Sequence, residues 1–311
     1  MQLSLALMEN IASMLVWVLV GFVVVKTGLV KGEYSRVLSV LTVYVFCPAM
    51  IFNAFQIELT AERIHGFLAC MAFSFAAYVV WMLLSRVLRK PLKLNPVDEA
   101  SLIYGNVGNL MLPLVSMTLG EEMVFYASAI QIPFNLFFWT HGISIMQGQA
   151  RFEWKKIFGN LNIWAVVFGL VFLGFQWHLP TVLDTAFSGL ASMVAPASMM
   201  VVGMVLAGTE LKSVFTCARA YGVLLGRLVI CPLLGLGLLW VSGVPTRFPE
   251  LVPILMVTAI SLAAPSASNV AQLAVVFDQK PTYASIVNIL SLFACVLTIP
   301  AFIALYQLVF L

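Results

Sequence analysis

Apolar runs of about 20 residues recur along almost the whole chain, separated only by short charged or Gly/Pro-containing breaks. A run of that length matches a bilayer's hydrocarbon core, roughly 30 Å thick. Reading run by run predicts ten spans, near 7–26, 36–56, 65–88, 100–119, 123–146, 161–179, 187–208, 214–241, 251–275 and 282–310. Only 9% of the 311 residues are charged and 62% are hydrophobic, against about 25% charged in a water-soluble domain. The expected fold is an all-α membrane protein whose chief partner is the lipid bilayer. No Lys or Arg precedes the first run, which continues to Val25 and so reads as an uncleaved span rather than a signal peptide.

Cationic residues set the orientation, because Lys and Arg in short loops stay on the cytoplasmic side. Thirteen of the 16 fall in the loops after spans 1, 3, 5, 7 and 9, among them Lys26, Arg89, Arg151, Lys155, Lys156, Arg219 and Lys280. The even-numbered loops hold only Arg63 and Arg247, and Arg227 alone lies inside a span. A multi-pass protein of the plasma (inner) membrane with both termini outside is the reading these positions support. With five spans per half, a duplicated unit inserts its second copy upside down. Pro48 and Pro196 stand 148 residues apart, and Pro113 and Pro265 stand 152 apart, which fits a first repeat at 1–148, a cytoplasmic connection at 149–160 and an inverted second repeat at 161–311.

Span 4 carries Tyr104-Gly105-Asn106-Val107-Gly108-Asn109-Leu110-Met111-Leu112-Pro113. Two glycines and a proline weaken the helix there, and the proline frees the carbonyl four residues earlier, that of Asn109. In hydrocarbon such a carbonyl needs a partner or a wet cavity. Span 9 repeats the design as Ser261-Leu262-Ala263-Ala264-Pro265-Ser266-Ala267-Ser268-Asn269, followed by Gln272. Small residues and polar groups also serve as helix-packing faces. Broken helices at corresponding positions of two halves, however, mark a transporter's substrate site. The predicted site is Asn106, Asn109 and Pro113 with Pro265, Ser266, Ser268 and Asn269.

These two stretches resemble the auxin efflux carrier family, in particular its bacterial members, and the likeness extends over the chain in length, in ten spans and in the prolines of spans 2 and 7. The resemblance implies a five-plus-five inverted fold like that of the bile-acid and sodium symporters, with broken helices 4 and 9 crossing. It further implies a small organic anion such as malonate or malate as substrate, and it leaves a homodimer open. The long cytoplasmic loop of plant members is missing, which argues against auxin itself.

Arg227 costs at least ~2.5 kcal/mol to place in the bilayer, so its presence needs a reason. Its fork suits a substrate carboxylate, but a structural role, snorkelling or capping carbonyls freed by Pro232 or by a broken neighbour, is the preferred reading. Gln272, His141 and Asn288 are the candidates for cation or proton coupling, while Asn53 and Gln56 sit at the outer end of span 2. No Asp or Glu lies near the middle of any span, so sodium or proton coupling would rely on amides, hydroxyls, carbonyls or the substrate itself. Half-helix N-termini at the breaks favour an anion and the opposing C-terminal ends a cation.

Other classes are poorly served. The five cysteines lie singly inside apolar runs without a CxxC pair or a His at ligand spacing, and no cofactor or metal is expected. There is no basic tract for nucleic acid. HExxH, a nucleophile elbow, an acidic pair and a P-loop are all missing, so an enzyme is not expected. A secondary transporter working by alternating access is the favoured reading, and a gradient-independent anion channel or a membrane-embedded ligand sensor is the alternative.

Overall fold

The computed structural model describes residues 2–148, 158–209 and 211–311. Arg151, Lys155, Lys156 and most of the expected 149–160 connection lie outside these residues. The described residues are 83% helical and include no strand. Helices fall where the apolar runs do: α1 Gln2–Lys26, α2 Gly32–Asn53, α3 Ala61–Arg89, α4 Pro96–Ile103, α5 Val107–Leu119, α6 over 123–147, α7 Leu161–Gly174, α8 Thr181–Ala207, α9 Ala218–Val241, α10 Val252–Leu262, α11 Ser268–Val276 and α12 Pro281–Phe310. Of these, α2, α3, α8, α9 and α12 are long and apolar enough to cross a membrane unaided. Large apolar side chains such as Leu83, Trp240, Leu297 and Leu308 are exposed on α3, α9 and α12, as a lipid solvent allows.

Two layers assemble. In the first, α1 lies along α8, and α2 packs on α7 and α8. The second gathers α3, α4, α6 and α9 to α12, with α5 against α6 and reaching both α1 and α8. The α1–α8 seam is set by glycine: a Cβ on Gly203 would stand 1.9 Å from the Val18 carbonyl oxygen, and one on Gly21 2.2 Å from that of Met200. Backbones approach this closely only where side chains are absent, the usual solution where lipid removes the hydrophobic drive between helices.

Three prolines share one local device. Pro48, Pro113 and Pro232 each follow a π turn by two residues, at Thr42–Phe46, Val107–Met111 and Gly226–Ile230. A proline has no N–H and crowds the carbonyl four residues before it. Widening the preceding turn relieves that crowding without ending the helix. Pro113 thus does not break its span as the sequence predicts. It lies inside α5, and the break is at Tyr104–Asn106, where Tyr104 turns extended (φ −100°, ψ 113°) and Asn106 leaves helical geometry (φ −79°, ψ 64°). Pro265, by contrast, lies within the second break itself, between α10 and α11.

Candidate functional site

The two breaks meet. Gly105 and Ser266 form an antiparallel bridge, in which the Asn106 N–H donates to the Pro265 carbonyl (2.7 Å) and the Ala267 N–H to the Tyr104 carbonyl (3.0 Å). Each unwound strand therefore satisfies the other, which resolves the exposed backbone that a break inside hydrocarbon creates. Four half-helices radiate from the crossing: α4 and α10 end there, while α5 and α11 begin there.

The beginning ends are open. In α5 the first intrahelical bond runs from the Met111 N–H to the Asn106 carbonyl (3.3 Å), so the N–H groups of Gly108, Asn109 and Leu110 precede it. In α11 the Val270 N–H bonds Ala267 (3.0 Å), ahead of which lie the N–H groups of Ser268 and Asn269. Asn106 is buried and its Nδ2 donates to Ser268 Oγ (3.3 Å), linking the two open ends. Gln131 of α6, buried, sends a side-chain Nε2 with no protein partner toward Gly108, where a Cβ would stand 3.5 Å away. Its carbonyl side is engaged by Asn135, which in turn accepts from Asn160 Nδ2 (2.6 Å).

The terminating ends are closed by Arg227, 1% exposed on α9. Its Nε donates to the Ala264 carbonyl (2.8 Å), Nη2 to Leu262 (3.1 Å), and Nη1 to Leu102 (3.3 Å) and Ile103 (3.2 Å). Its guanidinium also lies over the ring of Trp81, 4.9 Å from the centroid. Of the two roles the sequence leaves open for this residue, the geometry supports the capping of carbonyls at broken neighbours.

The remaining predicted residues divide. Asn288 Nδ2 donates to the Ser266 carbonyl (2.7 Å), and Ser291 on the same helix accepts the Ser266 N–H (3.0 Å), so α12 grips the second break. His141 Nδ1 lies 3.0 Å from the Tyr104 hydroxyl, which also donates to the Phe137 carbonyl (2.9 Å), so α6 grips the first. Asn109 faces the other layer: its carbonyl, freed by Pro113, accepts from Ser198 Oγ of α8 (2.8 Å), with Cys47 of α2 beside its side chain. Gln272 is exposed on α11, one turn past Ser268, and Asn269 is half-buried. Asn53 and Gln56 line a cavity of about 270 Å³ between α2, α5, α6 and α8, with Glu121, Glu122 and Asp184 around it. It reaches α5 only at Ser116, about 10 Å along the helix from Asn109.

Sequence reasoning passed over Gln131, Ser198, Ser291 and Tyr104 as site residues. Tyr104, Ser198 and Ser291 lie within three residues of Asn106, Pro196 and Asn288, but their partners Phe137, Asn109 and Ser266 come from other segments, as does Gly108 beside Gln131. Asp98 and Glu99 escaped it as well. Both are buried at the start of α4, where Asp98 accepts from Arg219 Nε (2.9 Å) and the Tyr283 hydroxyl (2.6 Å).

A membrane-embedded helical bundle with two discontinuous helices crossing at their unwound centres has the build of a membrane transporter. The chain belongs to the membrane transport protein family, that of the auxin efflux carriers, whose model matches residues 6–151 and 149–303. It is also 28% identical, over 225 residues, to an uncharacterized transporter of Methanocaldococcus jannaschii, covering 66% of this chain and 70% of that protein. The chain is accordingly a multi-pass membrane transporter of this family.

Proposed function

We propose that this protein is a secondary transporter of a small organic anion, a mono- or dicarboxylate of the malonate or malate type, which it moves by alternating access. One observation carries the reading: the helix N-termini of α5 and α11 open side by side at the crossing, with the amides of Asn106, Asn269 and Gln131 beside them, while the opposing C-terminal ends are already capped. Unpaired N–H groups and the positive ends of helix dipoles favour a carboxylate over a cation or a neutral solute.

In this reading ten spans form two inverted five-helix repeats, 1–148 and 161–311, with α4–α5 and α10–α11 each counting as one broken span. The cationic loops put both termini outside the plasma membrane. The layer of α1, α2, α7 and α8 serves as the frame, and the layer bearing the crossing moves against it. Asn106, Asn109, Ser266, Ser268 and Asn269 contact the anion, Gln131 adds an amide donor, and His141, Asn288 and Gln272 are the side chains through which a cation or a proton would be coupled. Pro113 and Pro265 shape the backbone.

Uptake of radiolabelled malonate, malate and a broader organic-acid panel into proteoliposomes tests this. Saturable, counterflow-competent uptake is the expected result, and no acid-dependent flux across the panel would refute it. Flux too fast for alternating access and indifferent to gradients would make the protein a channel, and saturable binding without counterflow would make it a sensor.

A further inference from the structure

A half-helix that stops inside a membrane ends in carbonyls without intrahelical partners, and in transporters of broken-helix design such ends hold cations. Here two of these ends, at Leu102 and Ile103 of α4 and at Leu262 and Ala264 of α10, converge on one point. A guanidinium stands at that point, donating to all four carbonyls at 2.8–3.3 Å with the face of Trp81 beneath it. The fit is close on each side. A Cβ on Gly105 would lie 1.9 Å from Arg227 Nη2 and 3.0 Å from Ala264 Cβ, so this glycine is needed for the approach, while Gly226 leaves room for the Leu102 side chain. Among the described residues no carboxylate pairs with Arg227. Carbonyl dipoles, with the Trp81 ring beneath, hold its charge, as carbonyl dipoles would hold a bare ion's.

We propose that Arg227 is a tethered cation standing where a soluble coupling ion would otherwise bind, so that ligand binding at the crossing requires neither sodium nor potassium. The inference rests on the crossing being the substrate site, and it deepens that reading. A planar fork reaches carbonyls of two chain segments at once, which the single point charge of a lysine does not. The charge therefore remains at the crossing whether or not a ligand is present, and it balances an incoming carboxylate at the open ends of α5 and α11 without a companion metal ion.

The test uses the purified full chain in detergent with every organic acid removed. Equilibrium binding of radiosodium is measured first, together with thermal melting in sodium, potassium and choline chloride. The parent is expected to bind no saturable sodium and to melt alike in the three salts. Saturable binding near one sodium per chain would overturn the proposal. Arg227→Ala, purified with methylguanidinium, is expected to melt several degrees lower and to recover saturably as methylguanidinium is restored, but not with choline. A monodisperse alanine variant that ignores methylguanidinium would overturn the proposal too. If the alanine variant yields no folded protein, Arg227→Lys takes its place. It is expected to melt lower than the parent while staying indifferent to sodium, and saturable sodium stabilisation of that variant counts against the tethered cation. Sodium binding without acid defeats this inference and leaves the transport reading intact, whereas absent acid flux in a sodium-indifferent parent defeats only the transport reading.

Discussion

Gly105 is where the crossing tolerates no side chain, because the space a methyl group would take is occupied by the Arg227 guanidinium 1.9 Å away and by Ala264 at 3.0 Å. Neither neighbour is free to retreat: one is bonded to four carbonyls and the other carries one of them. Gly105→Ala should therefore cost at or above the upper end of the ~1–3 kcal/mol typical of overpacking, read as a lowered melting temperature in detergent. A variant melting like the parent would show that the approach is looser than the geometry states. Ser198 makes a gentler case. Its single hydroxyl proton is shared between the Asn109 carbonyl that Pro113 frees (2.8 Å) and the Val194 carbonyl of its own helix (2.6 Å), so Ser198→Ala removes at most one neutral bond worth about 1 kcal/mol. The proposed site adds a prediction of its own. Asn109→Ala, Asn269→Ala and Gln131→Ala should each lose ligand-induced thermal stabilisation by malonate or malate, and three variants that respond like the parent would mean that the site lies elsewhere.

At the scale of the element, the half-helix α4 depends on its first turn. Asn95 and Asp98 form a capping box, with the Asn95 Oδ1 accepting from Val97 and Asp98 N–H groups and Asp98 accepting from the Asn95 N–H. Asp98 also binds Arg219 of α9 and Tyr283 of α12, so one carboxylate both starts α4 and ties it to two neighbours. Removing one partner of a fully buried ion pair costs ~3–5 kcal/mol. The Arg219 side chain is 47% exposed, and water takes over part of its loss. Asp98→Ala should accordingly destabilise the protein by about 2–3 kcal/mol and Tyr283→Phe by about 1 kcal/mol, and a chemical-denaturation series with the double variant would reveal their coupling. The α1–α8 seam depends on small residues in the same way. Gly203→Leu should separate the two helices or abolish folded protein, because its Cβ meets the Val18 carbonyl and no rotamer avoids that contact.

For the molecule as a whole, the proposed topology is open to labelling. With the native cysteines replaced, single cysteines at Glu121 and Thr246 should react with an impermeant maleimide applied from outside, while those at Lys90 and Lys280 should react only after the membrane is opened. The reverse pattern would invert the orientation drawn from the cationic loops. Helix positions were legible from the apolar runs, because a bilayer imposes one length on every span and hides no backbone group. The two breaks were legible too, from glycines, amides and prolines inside otherwise apolar stretches. Their exact places were not: Pro113 reads as a breaker and is absorbed by a π turn, while Tyr104, an ordinary helix former, is extended because Ala267 of a distant segment offers its N–H to it. Arg227 was conspicuous as a buried charge, yet its four acceptors lie 35 to 125 residues away in the chain. Gln131 was visible only as a polar neighbour of His141, since a buried amide in an apolar helix looks the same whether it packs or faces a site. Chain chemistry by itself determined a membrane-embedded helical protein with two weakened helices, because solvent and local backbone propensity act residue by residue. That the weakened places pair with each other, that a guanidinium closes their carbonyl ends and that their N–H ends stay open was decided only by the tertiary structure, since hydrogen bonds between distant segments depend on which surfaces meet in space.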